Sequence, residues 1–275
     1  MLRRLSSLVR SAHPGPGFAV TVVATLLGVA VGLEPWRVAV LGVAMLLDQT
    51  SVGLSNDWID ATRDRAVGRT DKPVARGDVS VALVRGTAWA AAASALLLTL
   101  PLGLAATAAH AVALGSAWAY NAALKNSAVS VLPYALSFGL LPAIASLARP
   151  TPAFPVWWAA AAGALLGVAA HFANVLPDLD DDRVTGIRGL PHRLGLRTSI
   201  AVTWLALVGA AWAIAVGLGG TPIALLGFGI SLAIGGTGLV IALLRGVGRW
   251  LFRLVISAAL LDVTMLVLAG SRLLA

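Results

Sequence analysis

Apolar residues follow one another along this chain in long runs, and polar residues gather in the short gaps between them. Breaks at Pro, Gly and charged residues mark off nine spans, near 17–34, 38–60, 80–100, 102–123, 128–147, 155–177, 199–218, 221–244 and 250–270. A helix needs about 20 apolar residues to cross a bilayer. The pattern therefore predicts an all-α polytopic membrane protein of nine transmembrane helices around a central cavity. Gly recurs inside the spans, as expected where helices pack closely in lipid. No stretch is long and polar enough for a separate soluble domain, so residues 1–275 read as one transmembrane domain.

Composition sharpens this picture. The chain is 59% hydrophobic and only 12% charged, against about 25% charged residues in a soluble domain. Its mean hydropathy is +0.89. The opening "MLRRLSSLVRSAHPGPG" is basic, and the apolar run after it lacks a convincing cleavage site, so no signal peptide is expected. Absence of cysteine excludes disulfides and thiolate metal sites, leaving oxygen and nitrogen ligands for any metal.

Charge then orients the stack. Arg37, Arg149 and Arg272 are the only bases on one side of the predicted alternation; the other 17 of the 20 Lys and Arg fall on the opposite side. This is a positive-inside signal, with the N-terminus cytoplasmic and the C-terminus outside, as in a plasma-membrane protein. It also accounts for the net charge of +8 without invoking nucleic acid. Two cytoplasmic connections, about 61–79 and 178–198, are longer than the rest and rich in both acids and bases. Any chemistry is expected at that face.

Both of these connections open on the same motif. "NDWIDATRDRAVGRTDKP" (56–73) aligns with "NVLPDLDDDRVTGIRGLP" (174–191) at an offset of 118 residues. Six positions coincide: Asn56 with Asn174, Asp60 with Asp178, Asp64 with Asp182, Arg65 with Arg183, Gly68 with Gly186 and Pro73 with Pro191. Spacing by four stacks Asn and both Asp of each copy on one helical face, one turn apart. Like charges so placed repel unless a cation sits among them. Hard oxygen donors favour Mg²⁺, which commonly binds through carboxylates and substrate phosphates. Two such faces across a cavity would hold two or three Mg²⁺ ions and a diphosphate. Arg69, Lys72, Lys125 and Arg188 are then the candidates to neutralise the remaining phosphate charge.

At these residues the chain resembles the UbiA superfamily of intramembrane prenyltransferases. The first family motif stands complete as Asn56, Asp57, Asp60, Asp64, Arg69, Thr70, Lys72 and Pro73, and the second as Asp178, Asp182 and Gly186. Between them lie the family's Tyr and Lys, Tyr120 and Lys125, with Asn126 where a second base usually falls. The resemblance implies Mg²⁺-dependent transfer of a prenyl chain from a prenyl diphosphate to an aromatic or other lipophilic acceptor. It implies that Asn56, Asp60, Asp64, Asp178 and Asp182 hold the metals, Asn174 being placed with them by the repeat. Arg69, Lys72, Tyr120 and Lys125 would contact the substrate. An intramembrane terpene cyclase, ionising the same diphosphate, is the alternative within this chemistry; a transporter is a more distant one.

Other polar residues within or beside the spans keep two readings each. Asp48 stands two turns before Asn56, either lining the cavity or bonded to a neighbouring helix. His171 precedes Asn174 by three residues and is a candidate general base. His110 and Asp262 read as helix–helix contacts, and Asp57, off the motif face, as a helix or loop partner. Trp58 and Trp118 either shield a carbocation or pack. His13 and Arg10 either meet an acceptor carboxylate or anchor the chain at the membrane surface.

Overall fold

The computed structural model describes residues 2–179, 187–245 and 249–275. Among these residues there is no β-strand, and nine helices have 17 residues or more. They are α2 (Pro14–Ala30), α3 (Pro35–Ala66), α5 (Val81–Thr99), α6 (Leu104–Ala122), α7 (Val131–Leu147), α8 (Trp157–Val175), α9 (Leu190–Gly217), α10 (Pro222–Arg245) and α11 (Arg249–Leu268). Each overlaps one predicted span. Two shorter helices, α1 (Leu2–Ser11) and α4 (Pro73–Arg76), complete the set. Among the described residues five helices are long and apolar enough to cross a membrane alone, and α1 with α2, bent by 60°, brings the number to six if that pair is one span. Nine crossings are thus matched in helix number but not by length and hydropathy. The Ala-rich α6 and the 17-residue α7 are among the helices left outside that test.

Local chemistry sets the helix ends. Proline opens α2, α3 and α4, where its missing N–H costs nothing. Ser80 caps α5 by accepting the Leu83 amide at 3.3 Å. The predicted boundary at residue 60 falls short: α3 continues to Ala66 and carries Asp64 on the same helix as Asn56. Charged residues end a hydropathy run without ending the hydrogen-bond ladder. A break at Gly195, φ 78°, separates the first turn of α9 from its membrane-crossing part, which explains the predicted start near 199.

The outward faces are apolar, with Leu97, Leu205, Leu226 and Leu260 exposed. A soluble protein would be poorly hydrated on such a surface; lipid covers it without penalty. Inside, Leu27, Leu41, Leu102, Ile144, Ala159, Leu207, Ile214 and Leu266 belong to one core cluster. A second, smaller cluster around Leu54, Ala61, Val74, Val84 and Ala88 lies where α3, α4 and α5 meet. The architecture is an all-α polytopic membrane bundle, with α3 packed on α5, α7 on α8 and α8 on α9.

The α7–α8 contact depends on bare backbone. A Cβ on Gly163 would stand 2.5 Å from the Phe138 carbonyl oxygen, and one on Gly167 2.4 Å from that of Tyr134. Gly167→Ala must push these helices apart, an overpacking cost of about 1–3 kcal/mol. Thermal unfolding in detergent is expected to show a lowered midpoint for this variant. Gly86→Ala, where nothing lies within 4 Å of the added carbon, is expected to leave it unchanged or slightly raised.

Candidate active site at the cavity mouth

The side chains of the first motif converge on a cavity of about 630 Å³. Asn56, Asp60, Arg63, Asp64, Arg69, Asp71, Lys72 and Lys125 line its polar mouth. Deeper, the wall turns to Gly17, Val20, Gln49 and Val52 on one side, and Tyr134, Phe138, Ala170 and His171 on another. Asn174 of the second motif copy lines the same cavity, so both motif helices reach one space. Asp178 ends the 3-10 turn Leu176–Asp178 that continues α8. Asp182 and Gly186 lie outside the described residues.

Three buried carboxylates at the mouth meet three bases. Lys72 Nζ donates to Asp57 Oδ1 at 2.8 Å and lies 3.6 Å from Asp64 Oδ2. Arg63 reaches Asp60 at 2.9 Å and Asp64 at 3.4 Å. Lys125 pairs with Asp60. Removing such groups from water costs several kcal/mol per ion unless each finds an opposite charge, and here each does. Burial nevertheless wins at Lys125, pushing its ammonium below the usual lysine range despite its Asp60 partner. Out in the loop, the Arg69 guanidinium grips Asp71 at 2.7 and 2.8 Å and holds that carboxyl down at about 2.

Asn56 is oriented through its neighbours. Its Nδ2 donates to Asn121 Oδ1 at 3.3 Å, and Asn121 in turn donates to the Val52 carbonyl and Ser55 Oγ at 2.9 and 2.7 Å. Asp57 points away from the motif face as expected, binding Lys72 and His13 Nε2, the latter at 2.9 Å. His13 is the one non-glycine residue with positive φ among those described, at 51°. That conformation costs about 1–2 kcal/mol, and the Asp57 contact helps to hold it. Gly53 permits the approach: its missing Cβ would fall 2.1 Å from the Ala12 carbonyl oxygen.

The remaining candidates separate. Tyr120 lines the cavity, its ring edge-on to Tyr134 and to His171. Arg188 is exposed and is not among the cavity-lining residues. Asp48 is buried behind the wall, accepting from Gln49 at 2.7 Å and lying 3.5 Å from His110. Asp262 accepts from Ser231 at 2.7 Å, joining α10 to α11. Trp58 and Trp118 pack on the smaller core cluster; Trp118 donates to Ser51 at 3.1 Å. Arg10 and His13 line a smaller pocket of about 300 Å³ beside the mouth. Sequence reasoning passed over Arg63 and Asn121. Arg63 carried a signal, standing three residues after Asp60 on one helix; Asn121 carried none, because its role depends on α6 lying beside α3.

The mouth offers oxygen donors to a metal. Asp64 Oδ2 is buried without a hydrogen-bond partner among the described residues, and Asn56, Asp60 and Asn174 open on the same space. No three acids or histidines among the described residues converge on one point, since a spacing of four sets successive carboxylates a full turn apart. Such a set suits an ion that completes its shell with water and phosphate.

The Lys72–Asp57 pair makes a testable claim. Lys72→Met leaves a buried carboxylate with only His13 against it, and breaking a buried pair costs about 3–5 kcal/mol. The melting midpoint of this variant is expected to drop well below that of the unsubstituted chain, and adding Asp57→Asn to recover part of the loss.

Comparison with known proteins establishes the family and the fold. Residues 18–261 match the model of the UbiA prenyltransferase family. The chain is 32% identical over 207 residues to digeranylgeranylglyceryl phosphate synthase of Natronomonas pharaonis, covering 73% of each. A UbiA homolog from Archaeoglobus fulgidus, bound to DMAPP and Mg²⁺, superposes with a TM-score of 0.75 at 14% identity, over 94% of this chain and 97% of that one. The apo structure of a UbiA homolog from Aeropyrum pernix K1 gives 0.72 at 19% identity, over 96% and 98%. The chain belongs to the UbiA prenyltransferase family.

Proposed function

We propose that this prenyltransferase moves the prenyl chain of a prenyl diphosphate onto a lipophilic acceptor held in the same cavity, with Mg²⁺ as cofactor. One observation carries the reading: a single cavity has buried acids and bases at its mouth and aliphatic and aromatic walls beyond. Diphosphate matches the first half and an isoprenoid tail the second. The relative from Natronomonas pharaonis, by its name, makes a glyceryl phosphate carrying two geranylgeranyl groups, so a hydroxyl-bearing lipid is the acceptor class favoured here. The whole chain acts as one domain, its N-terminus and cavity mouth on the cytoplasmic side.

Asn56, Asp60, Asp64, Asn174, Asp178 and Asp182 are the residues that would hold Mg²⁺, which when bound supplies positive charge against the departing diphosphate. Arg69, Lys72 and Lys125 serve the same leaving group. They face carboxylates in the structure, and with diphosphate bound its oxygens would be their partners. Such charge-assisted contacts strengthen as the allylic C–O bond loosens and negative charge collects on the diphosphate. Tyr120 and the apolar walls exclude water, so that the allylic cation meets the acceptor and not solvent.

Asp60→Ala and Asp64→Ala test this directly. Each is expected to cut Mg²⁺-dependent diphosphate release from geranylgeranyl diphosphate by about 10²-fold or more, while the protein still inserts into the membrane. EDTA is expected to abolish release in the unsubstituted chain and Mg²⁺ to restore it. Undiminished turnover by either variant would sink the reading.

A further inference from the structure

His171 is buried at 1% exposure and still lines the cavity. It stands on α8 three residues, about 4.5 Å along the helix axis, farther from the mouth than Asn174. If diphosphate sits among the motif residues, that is the depth at which the first carbon of the prenyl chain meets its acceptor. Ser130 Oγ accepts the Leu190 amide at 2.9 Å and lies 3.1 Å from His171 Nε2. In the tautomer that donates Nε2–H to this hydroxyl, the lone pair of the ring falls on Nδ1, which has no hydrogen-bond partner among the described residues. The rings of Tyr134 and Tyr120 stand 5.0 and 5.7 Å from the imidazole, centroid to centroid. They fix its plane. A buried nitrogen without a hydrogen-bond partner is costly to desolvate, and an occupant bearing an O–H would remove that cost.

Of the other histidines that line the cavity, His13 is committed to Asp57, and His192, in the first turn of α9, lies close enough to His171 to act on it electrostatically. Asp60 and Asp64 are held by Arg63, Lys72 and Lys125, and Asp48 lies behind the wall.

We infer that His171 Nδ1 is the general base that takes the proton of a hydroxyl acceptor as the prenyl chain is captured. The inference rests on the transferase reading above, with its hydroxyl acceptor, and adds to it the group that takes the acceptor's proton. The bond between the first prenyl carbon and the diphosphate oxygen breaks, and its electron pair leaves with the diphosphate. The acceptor oxygen supplies the pair for the new C–O bond, giving an ether. Its proton passes to Nδ1 and is lost to water once product leaves. Ser130 is a positioning residue, keeping Nε2 engaged so that Nδ1 is the nitrogen offered.

The test separates ionisation from capture. Full-length protein is supplied with radiolabelled geranylgeranyl diphosphate, Mg²⁺ and a glyceryl phosphate monoether bearing one free hydroxyl, and diphosphate and ether product are measured independently. In His171→Gln, ether formation is expected to fall by about 10²-fold or more. Diphosphate release is expected to fall far less, with prenyl alcohol replacing ether. Ser130→Ala is expected to shift the product ratio in the same direction by a smaller factor. An unchanged ether-to-diphosphate ratio in His171→Gln, or a parallel loss of both products, overturns the assignment. Unsubstituted protein that releases diphosphate without alkylating the probe overturns the hydroxyl acceptor. Absence of diphosphate release from that protein removes the transferase reading itself, and this inference with it.

Discussion

The structure turns on one electrostatic constraint: Asp57, Asp60 and Asp64 are buried, and buried carboxylates must meet cations. The chain supplies its own, through Lys72, Arg63 and Lys125. That requirement fixes the geometry of the mouth. Lys72 draws the loop after α3 back over its own helix, Lys125 brings the end of α6 against α3, and His13 joins the α1–α2 corner to the same network. The packing beneath is compatible with this, since Leu54, Ala61, Val74 and Val84 form an apolar floor under the loop.

In a mouth so balanced each buried carboxylate has a base beside it. On the proposed reading, the carboxylates would hold Mg²⁺, and Lys72, Lys125 and Arg69 would then have phosphate oxygens as partners. Opposite charges are re-paired throughout, so no group is stranded in a medium of low dielectric. A site of carboxylates alone would be strained by mutual repulsion while empty. One rich only in bases would bind diphosphate without helping to hold the metal. The mixed composition of residues 56–73, which looked anomalous in so apolar a chain, answers both needs.

Much of this was legible in the sequence because the deciding signals are strong and local. Long apolar runs separated by charge gave the helical bundle, and a spacing of four put Asn56, Asp60 and Asp64 on one face. The helix ends were less legible. Hydropathy ended the second span at residue 60, whereas α3 runs to Ala66, because backbone hydrogen bonding ignores side-chain charge. Arg188 was read as a phosphate partner from loop proximity, but it is exposed beside the cavity lining and not part of it. Least legible were contacts made across helices. Asn121 orients Asn56 over a separation of 65 residues, and Ser130 engages His171 over 41. No periodicity along one helix reports which residue of another will face it.

The long α3 ties the two halves of the cavity together. Gln49 and Asp60 both line it, and eleven residues of helix separate them by about 16 Å. Ionising an allylic diphosphate favours concentrated charge, whereas preserving the resulting cation favours a dry and weakly nucleophilic wall. Placed on separate elements, these environments would shift against each other whenever a loop moved. On one continuous helix their spacing is set by the backbone, and a bound prenyl diphosphate would span both at a fixed depth. The α8 side repeats the device, with Asn174 at the level of the charges and His171 three residues below. On the proposed reading, two helices carrying the same order of groups would set where the bond breaks relative to where its carbon is caught.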